Sequence, residues 1–227
     1  MTPHPLGPPL ALYGHPFSSY TQKALIALYE AGTAFEFRMI GPDTPEHVGE
    51  WMRRWPMGSF PLLVDGDQTV TETSIIIEHL QVAHPGPRPL IPIDAAAALE
   101  VRFLDRFFDL YVMERVQFAV GAALGRYGAM TAAEGLEMAR ERLEKAYGWL
   151  EGRLAGRAWA AGEDFTLADC AAGPALFYAD WTHPIGPGYP TLRAYRERLI
   201  RRASFARAIE EARPYRGLFP LGAPDQD

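Results

Sequence analysis

An α/β domain followed by an all-helical bundle is the fold class that this 227-residue sequence predicts, on three observations. Up to about residue 83, strand-like runs alternate with helix-like runs. The segment His84-Pro85-Gly86-Pro87-Arg88-Pro89-Leu90-Ile91-Pro92 then interrupts the pattern, because neither a helix nor a central strand accommodates so many missing N–H groups. After it, every apolar pattern has helical spacing. The predicted organisation is an α/β domain over 1–83 with a four-stranded mixed sheet, a linker over 84–93 and a helical-bundle domain over 94–227.

Leu10-Ala11-Leu12-Tyr13 reads as a short buried strand, and Ala24 to Tyr29 as a helix closed by Gly32. Phe35, Phe37 and Met39 alternate with Glu36 and Arg38, a period of two with one buried face. Residues 44–54 read as a helix that stops at Trp55-Pro56. Pro61 fits the first residue of a strand, where its missing N–H costs no ladder bond. Asp65-Gly66 supplies the positive-φ residues of a two-residue hairpin, and Thr69-Val70-Thr71 returns. Ile75, Ile76, Ile77 and Leu80 mark a helix over about 73–83. The resulting β-α-β-α-β-β-α order is satisfied by one parallel pair and one hairpin in a single mixed sheet. Beyond the linker, Asp94 is placed to cap a long helix carrying Leu99, Phe103, Leu104, Phe107, Phe108, Tyr111 and Val112. Leu136, Leu143, Ala146, Leu150 and Leu154 mark a second, expected to pack antiparallel to it. The polar tail Gly222–Asp227 is expected to fray.

Composition excludes several classes. With 48% hydrophobic residues the chain can bury a full core, and no apolar run approaches the roughly 20 residues that span a bilayer. The net charge of −6, with arginines scattered through helical segments, gives no nucleic-acid footprint. Met1-Thr2-Pro3-His4-Pro5 has neither a basic nor an apolar leader region, so the expected compartment is the cytoplasm. Cys170 is the only cysteine, which excludes internal disulfides and thiolate clusters and fits a small buried hydrophobe. The histidines at 4, 15, 47, 79, 84 and 183 show no zinc-ligand spacing, and no metal is expected.

The residues that carry chemistry fall in three places. Ser18-Ser19-Tyr20 lies between the first strand and first helix, at the carboxyl end of a strand, where open α/β sheets bind ligands. Phe60-Pro61 opens the hairpin. Glu72-Thr73 opens the next helix, so side chains and free N–H groups gather at a helix N-terminus that attracts carboxylates. Together they suggest a recess for a small peptide-like ligand.

These elements, in this order and spacing, resemble the glutathione transferase family of the thioredoxin-like superfamily across essentially the whole chain. Ser18, five residues after Tyr13, falls where serine-type members such as the phi, theta and zeta groups carry the hydroxyl that activates glutathione. Phe60-Pro61 resembles the family's Val-Pro or Ile-Pro, which implies a cis bond and a Phe60 backbone that pairs with the cysteinyl part of glutathione. Glu72-Thr73 resembles the Glu-Ser pair that holds the γ-glutamyl group, within the frame Glu72 to Leu80. Phe165-Thr166-Leu167-Ala168-Asp169 resembles the capping motif of the helical domain, with Thr166 and Asp169 bonding each other's N–H groups and Phe165 packing toward Cys170. The resemblance implies a thioredoxin-like N-terminal domain, glutathione as co-substrate and a homodimer.

The magnitudes agree. A free thiol is a few per cent ionised at pH 7, and lowering its pKa by about two units takes roughly 2.7 kcal/mol. One hydroxyl donor to a thiolate supplies about 1.5–3 kcal/mol, and a helix N-terminus about 0.3–1. The resemblance, through the spacing from Tyr13, and the place at the first helix's N-terminus imply Ser18 as the thiolate-stabilising residue, with Ser19 and Tyr20 as alternatives, and His15 is not needed. Trp55-Pro56-Met57-Gly58-Ser59 departs from the family's Asn-Pro-x-Gly-Lys, so Ser59 replaces a longer polar contact, and His47, Arg53 or Arg54 are the cations left for the glycyl carboxylate. Tyr20 stands where the zeta group has cysteine, which weakens a maleylacetoacetate isomerase reading. A dithiol pair is absent, with Ser18 and Thr21 in its places. Tyr111, Met113, Arg115 and Phe118 are the residues expected to line a pocket for a small hydrophobic electrophile. The function expected is glutathione transfer to such an electrophile. The alternatives are a glutathione-binding protein with little turnover, acting on ligands or partners, and a glutathione-dependent isomerase or dehalogenase.

Overall fold

The computed structural model describes residues 10–225 and 227; the leader reading of Met1–Pro5 falls outside them. The first half runs β1 (Ala11–Gly14), α1 (Ser19–Ala31), β2 (Glu36–Met39), α2 (Pro45–Arg54), β3 (Leu62–Asp65), β4 (Gln68–Val70) and α3 (Thr73–Ala83). The sheet order is β2-β1-β3-β4, with β1 and β2 parallel and the other pairs antiparallel. This is the four-stranded mixed sheet that the alternation predicts. Side chains alternate across it: Leu12 and Leu63 face Ala24, Leu25 and Leu28 of α1 and Ile76 and Leu80 of α3. On the other face Tyr13, Leu62 and Val64 pack with Trp51 of α2.

Local signals explain where the elements stop. Gly32 takes φ 66° at the end of α1 and returns its N–H to the Leu28 and Tyr29 carbonyls, a geometry that a β-carbon disfavours. The hairpin register pairs Asp65 with Gln68, so the two turn residues are Gly66 and Asp67, one position later than Asp65-Gly66. Gly66 alone takes a positive φ, 58°, at the first central position, where such a turn requires glycine.

The second half is helical: α4 (Ala95–Phe107), a π-helical segment (Phe108–Met113), α5 (Glu114–Ala123), α6 (Ala132–Arg153), α7 (Leu167–Thr182), α8 (Pro190–Ile200), α9 (Ala203–Ala212) and a 3₁₀ turn (Arg213–Leu218). Asp94 caps α4 by accepting the Ala97 N–H at 2.8 Å. The expected long helix is thus interrupted by a π segment, and its apolar residues divide between two faces. Leu104, Phe108 and Val112 are buried, whereas Leu99, Phe103 and Tyr111 are exposed. Glu100 pairs with Arg153, and Phe107 stacks on Trp149 at 4.2 Å, so α4 and α6 run antiparallel as expected. Helix α7 is almost wholly buried and forms the core of this half, with Cys170 inside it. Burial pushes the Cys170 thiol up, which fits a packing role.

Between α3 and α4 the proline-rich stretch forms no regular element, yet it is tied down. Gln81 exchanges two hydrogen bonds of 2.8 Å with the Ile91 backbone, and the Leu167 N–H donates to the Leu90 carbonyl at 2.8 Å. The tail is also held rather than frayed at its described end: the Asp227 carboxylate pairs with Arg213 at 2.8 Å and Arg216 at 2.9 Å. Ala223 also packs against the main core. No helix among the described residues is long and apolar enough to cross a membrane.

Candidate functional site

A cleft of about 540 Å³ opens between the α/β half and α4, within the usual size range for a small-molecule site. One wall is Ser59, Phe60, Pro61 and the start of α3 from Glu72 to Ile75. The other is Arg102, Asp105, Arg106 and Asp109, and Tyr20 of α1 closes one side.

The Phe60–Pro61 bond is cis. The turn before it is fixed by two indoles: Trp51 Nε1 donates to the Ser59 carbonyl at 2.9 Å and Trp55 Nε1 to Ser59 Oγ at 2.8 Å. Phe60 packs edge-on to Trp51 at 5.6 Å. Ser59, which stands in place of a longer polar contact, is thus held by both tryptophans in one clamp on the cleft wall.

Glu72 is the only non-glycine residue with a positive φ, 66°, among the described residues. Such a backbone is costly for a residue with a β-carbon and persists where the surroundings hold it. Glu72 makes no side-chain cap to α3, and the first backbone bond of the helix runs from the Ile76 N–H to the Glu72 carbonyl at 2.8 Å. The N–H groups of the first turn are the donors that a helix leaves without intrahelical partners. Here they border the cleft.

Below them lies a charge cluster that the sequence did not disclose. Lys23 of α1 is 1% exposed, and its ammonium reaches Asp105 at 2.6 Å, Asp109 at 2.8 Å and Ser74 Oγ at 3.0 Å. Two hydrogen bonds, to Asp109 and Ser74, and the ion pair with Asp105 offset the cost of burying it. Ser74 donates in turn to Asp105 at 2.7 Å, and Arg106 pairs with Asp109. Burial raises the Asp109 carboxyl, against the pull of Lys23. The cluster ties α1, α3 and α4 together beneath the cleft. Arg102 makes a two-pronged pair with Glu78 at 2.8 and 2.9 Å.

The three hydroxyls of Ser18-Ser19-Tyr20 are separated by the turn into α1. Ser18 is the N-cap: its Oγ accepts the Thr21 N–H at 3.3 Å, and it is not among the residues lining the cleft. Ser19 is buried, 3.5 Å from the Gln117 amide. Tyr20 lines the cleft, and burial, reinforced by Asp109, pushes its phenol up to about 12. It therefore stays a neutral donor at physiological pH. His15 accepts the Phe17 N–H at 3.2 Å and packs on Tyr215, and burial lowers its pKa.

The fold thus brings Ser59, Phe60, Pro61, Glu72 and Thr73 to one cleft. It does not bring together Tyr111, Met113, Arg115 and Phe118. Met113 is buried in the core, Phe118 stacks on Tyr127 at 5.0 Å, and Tyr111 and Arg115 border a separate outer recess with Trp149. Tyr111 and Met113, two residues apart, fall on opposite sides of the helix. His47, Arg53 and Arg54 are also away from the cleft: His47 bonds the Met39 carbonyl at 3.0 Å and both arginines pair with Glu50.

Comparison with known proteins fits this architecture. The family model for the glutathione S-transferase N-terminal domain matches residues 12–88, and that for the C-terminal domain matches residues 117–198. Glutathione S-transferase 3 of Zea mays is 32% identical over 88% of this chain and 93% of its own. A stringent starvation protein A homolog of Coxiella burnetii is 27% identical over 89% of this chain and 92% of its own. Among solved structures, a glutathione transferase homolog from Drosophila mojavensis with bound glutathione superposes with a TM-score of 0.78. It covers 91% of this chain and 94% of its own at 19% identity, a likeness of fold. With a thioredoxin-like N-terminal domain, a helical C-terminal domain and matches of this extent across both, the chain belongs to the glutathione S-transferase family.

Proposed function

We propose that the protein is a cytoplasmic, homodimeric glutathione transferase that binds glutathione in the cleft and presents its thiolate to a small hydrophobic electrophile. The observation that carries this reading is the open N-terminus of α3, bordered by the cis Phe60–Pro61 turn and by Glu72 in a held positive-φ conformation. A γ-glutamyl carboxylate would take the unpartnered N–H groups of Thr73 and Ser74 and the Thr73 hydroxyl. Its ammonium would face Glu72 and Asp105. The Phe60 backbone, beside the Ser59 clamp, would pair with the cysteinyl peptide. Families of this kind bind glutathione, and both halves of the chain match them. The exposed aromatic row of Phe103 and Tyr111, stacked with Phe107 and Trp149, is an apolar outer face that supports the homodimer.

Ser18 is the proposed thiolate donor. Its oxygen accepts from Thr21, which leaves its O–H proton to give, and it sits on the positive end of α1. A second reading assigns this role to Tyr20, because Tyr20 is the hydroxyl of this turn that lines the cleft. Calorimetric titration with glutathione, followed by a panel of electrophiles, tests the function; absence of glutathione binding overturns it. Ser18→Ala and Tyr20→Phe decide the donor. Loss of the true donor should raise the bound thiol's pKa by about one to two units and lower turnover at neutral pH, with recovery at higher pH. A variant whose thiolate absorbance against pH matches the parent's has lost only a cap or a cleft wall.

A further inference from the structure

Asp65, the last residue of β3, His79 of α3 and His84 just past its end converge on the far side of this domain from the cleft. His79 Nε2 lies 2.8 Å from Asp65 Oδ2, and His84 Nε2 lies 2.7 Å from the same oxygen. The three ligating atoms fall within 4.8 Å of one another, and all three side chains are half-buried. His79 and His84 are five apart, which on a continuous helix would put them about 140° from each other. They meet because His84 has left the helix at its C-terminus, with φ −134° and ψ 59°. Sequence spacing therefore hides the pair, and the third group comes from the hairpin.

We propose that Asp65, His79 and His84 bind one divalent transition-metal ion, zinc by ligand type, which clips the β3–β4 hairpin to the C-terminal end of α3. Two imidazole nitrogens and one carboxylate oxygen are zinc donors. Calcium and magnesium prefer oxygen alone, and there is no thiolate here to select softer ions. Zinc bonds of about 2.0–2.2 Å to each group need the ligating atoms roughly 3.3 Å apart, so the two close pairs open by about half an ångström around the ion. The fourth position is left to water. Asp65 lies four residues from Pro61 along β3, roughly 13 Å. His84 lies eleven residues from Thr73, roughly 16 Å along α3. The ion thus holds the far ends of the two elements whose near ends frame the cleft. It touches no group assigned to glutathione.

The test uses untagged full-length protein dialysed against micromolar zinc, with metal content measured by mass spectrometry and affinity by calorimetry. The expected result is one zinc per chain, and a melting temperature that zinc raises and a chelator restores. His79→Gln and Asp65→Asn should each weaken zinc binding by about tenfold or more, whereas His47→Gln, outside the cluster, should not. Zinc uptake by the parent that is absent, or that is unchanged in both ligand variants, overturns the site and leaves a carboxylate hydrogen-bonded by two histidines. If the variants do not fold, X-ray absorption of the zinc-loaded parent decides, two imidazoles and oxygen supporting the site and any other ligand set overturning it.

Discussion

Four helices of the helical half treat their N-termini in the opposite way from the helices of the α/β half; α9, like α2 and α3, has no side-chain cap. In the helical half, α4, α6, α7 and α8 each receive a carboxylate of the protein itself. Asp94 takes the Ala97 N–H, Glu134 the Thr131 N–H, and Asp169 the N–H groups of Thr166 and Ala160. Glu151 of α6 reaches across to the Thr191 and Leu192 N–H groups of α8, both at 2.9 Å. In the α/β half, α1 is capped by a serine hydroxyl, and α2 and α3 by no side chain. A helix N-terminus carries four free donors and a partial positive charge. Where the protein supplies the anion, that end serves folding. Where it withholds one beside a cleft, as at α3, the end is available to a ligand's carboxylate.

The sharpest break of this contrast is at Asp169. It is fully buried and also accepts the Tyr195 hydroxyl at 2.6 Å, and burial raises its carboxyl against these donors. Asp169→Ala leaves those donors unpaired and should cost about 3–5 kcal/mol, read from denaturant midpoints. Glutathione affinity of the surviving folded fraction should not change. An equal loss of affinity would show that the two ends are not independent.

The opposite signature is expected at α3. The double variant Glu72→Ala, Thr73→Ala should weaken glutathione binding about tenfold, or 1.4 kcal/mol, with the effect mainly in KM and little movement of the melting temperature. Unchanged affinity would place the ligand elsewhere.

Thr166→Ala should cost about 0.5–2 kcal/mol of stability at unchanged activity per folded molecule. In the structure the Thr166 hydroxyl and N–H both donate to Asp169, at 3.1 and 2.8 Å. Phe165 packs on Trp159 at 5.0 Å. An unmoved denaturant midpoint would assign the whole cap to Asp169.

The smallest effect is the pH dependence at Glu151. Burial raises its carboxyl, but the bonds from Thr191 and Leu192 outweigh this and hold it below the usual value. A carboxyl depressed in the folded state binds fewer protons there than when unfolded. Its contribution is therefore complete above the unfolded pKa of about 4.3 and is lost as pH falls through the folded value. The parent should be more stable than Glu151→Gln at pH 6, and the two should converge only after pH has fallen through the folded value. A gap that persists at lower pH would mean that shape rather than charge joins α6 to α8.

What the sequence determined by itself is what a few neighbouring residues decide. Gly32 ends α1, Asp94 starts α4, Thr166 and Asp169 sit together at the start of α7, and Phe60–Pro61 marks the cleft turn. Each follows from local dihedral preference, capping or period, and together they order the strands and helices correctly. Even these local signals slipped by one residue at the hairpin, where cross-strand pairing rather than turn composition fixes the register. Only the tertiary structure decided which distant groups meet. Nothing in the sequence pairs Lys23 with acids, yet α4 and the π segment deliver Asp105 and Asp109 to it and make its burial tolerable. The same holds for the Ser59 clamp, for Tyr20 rather than Ser18 on the cleft wall, and for Asp65 between His79 and His84. Spacing along a chain sets the face of a single element. The angle and offset at which two elements pack depend on every side chain between them, and a single sequence does not show that sum.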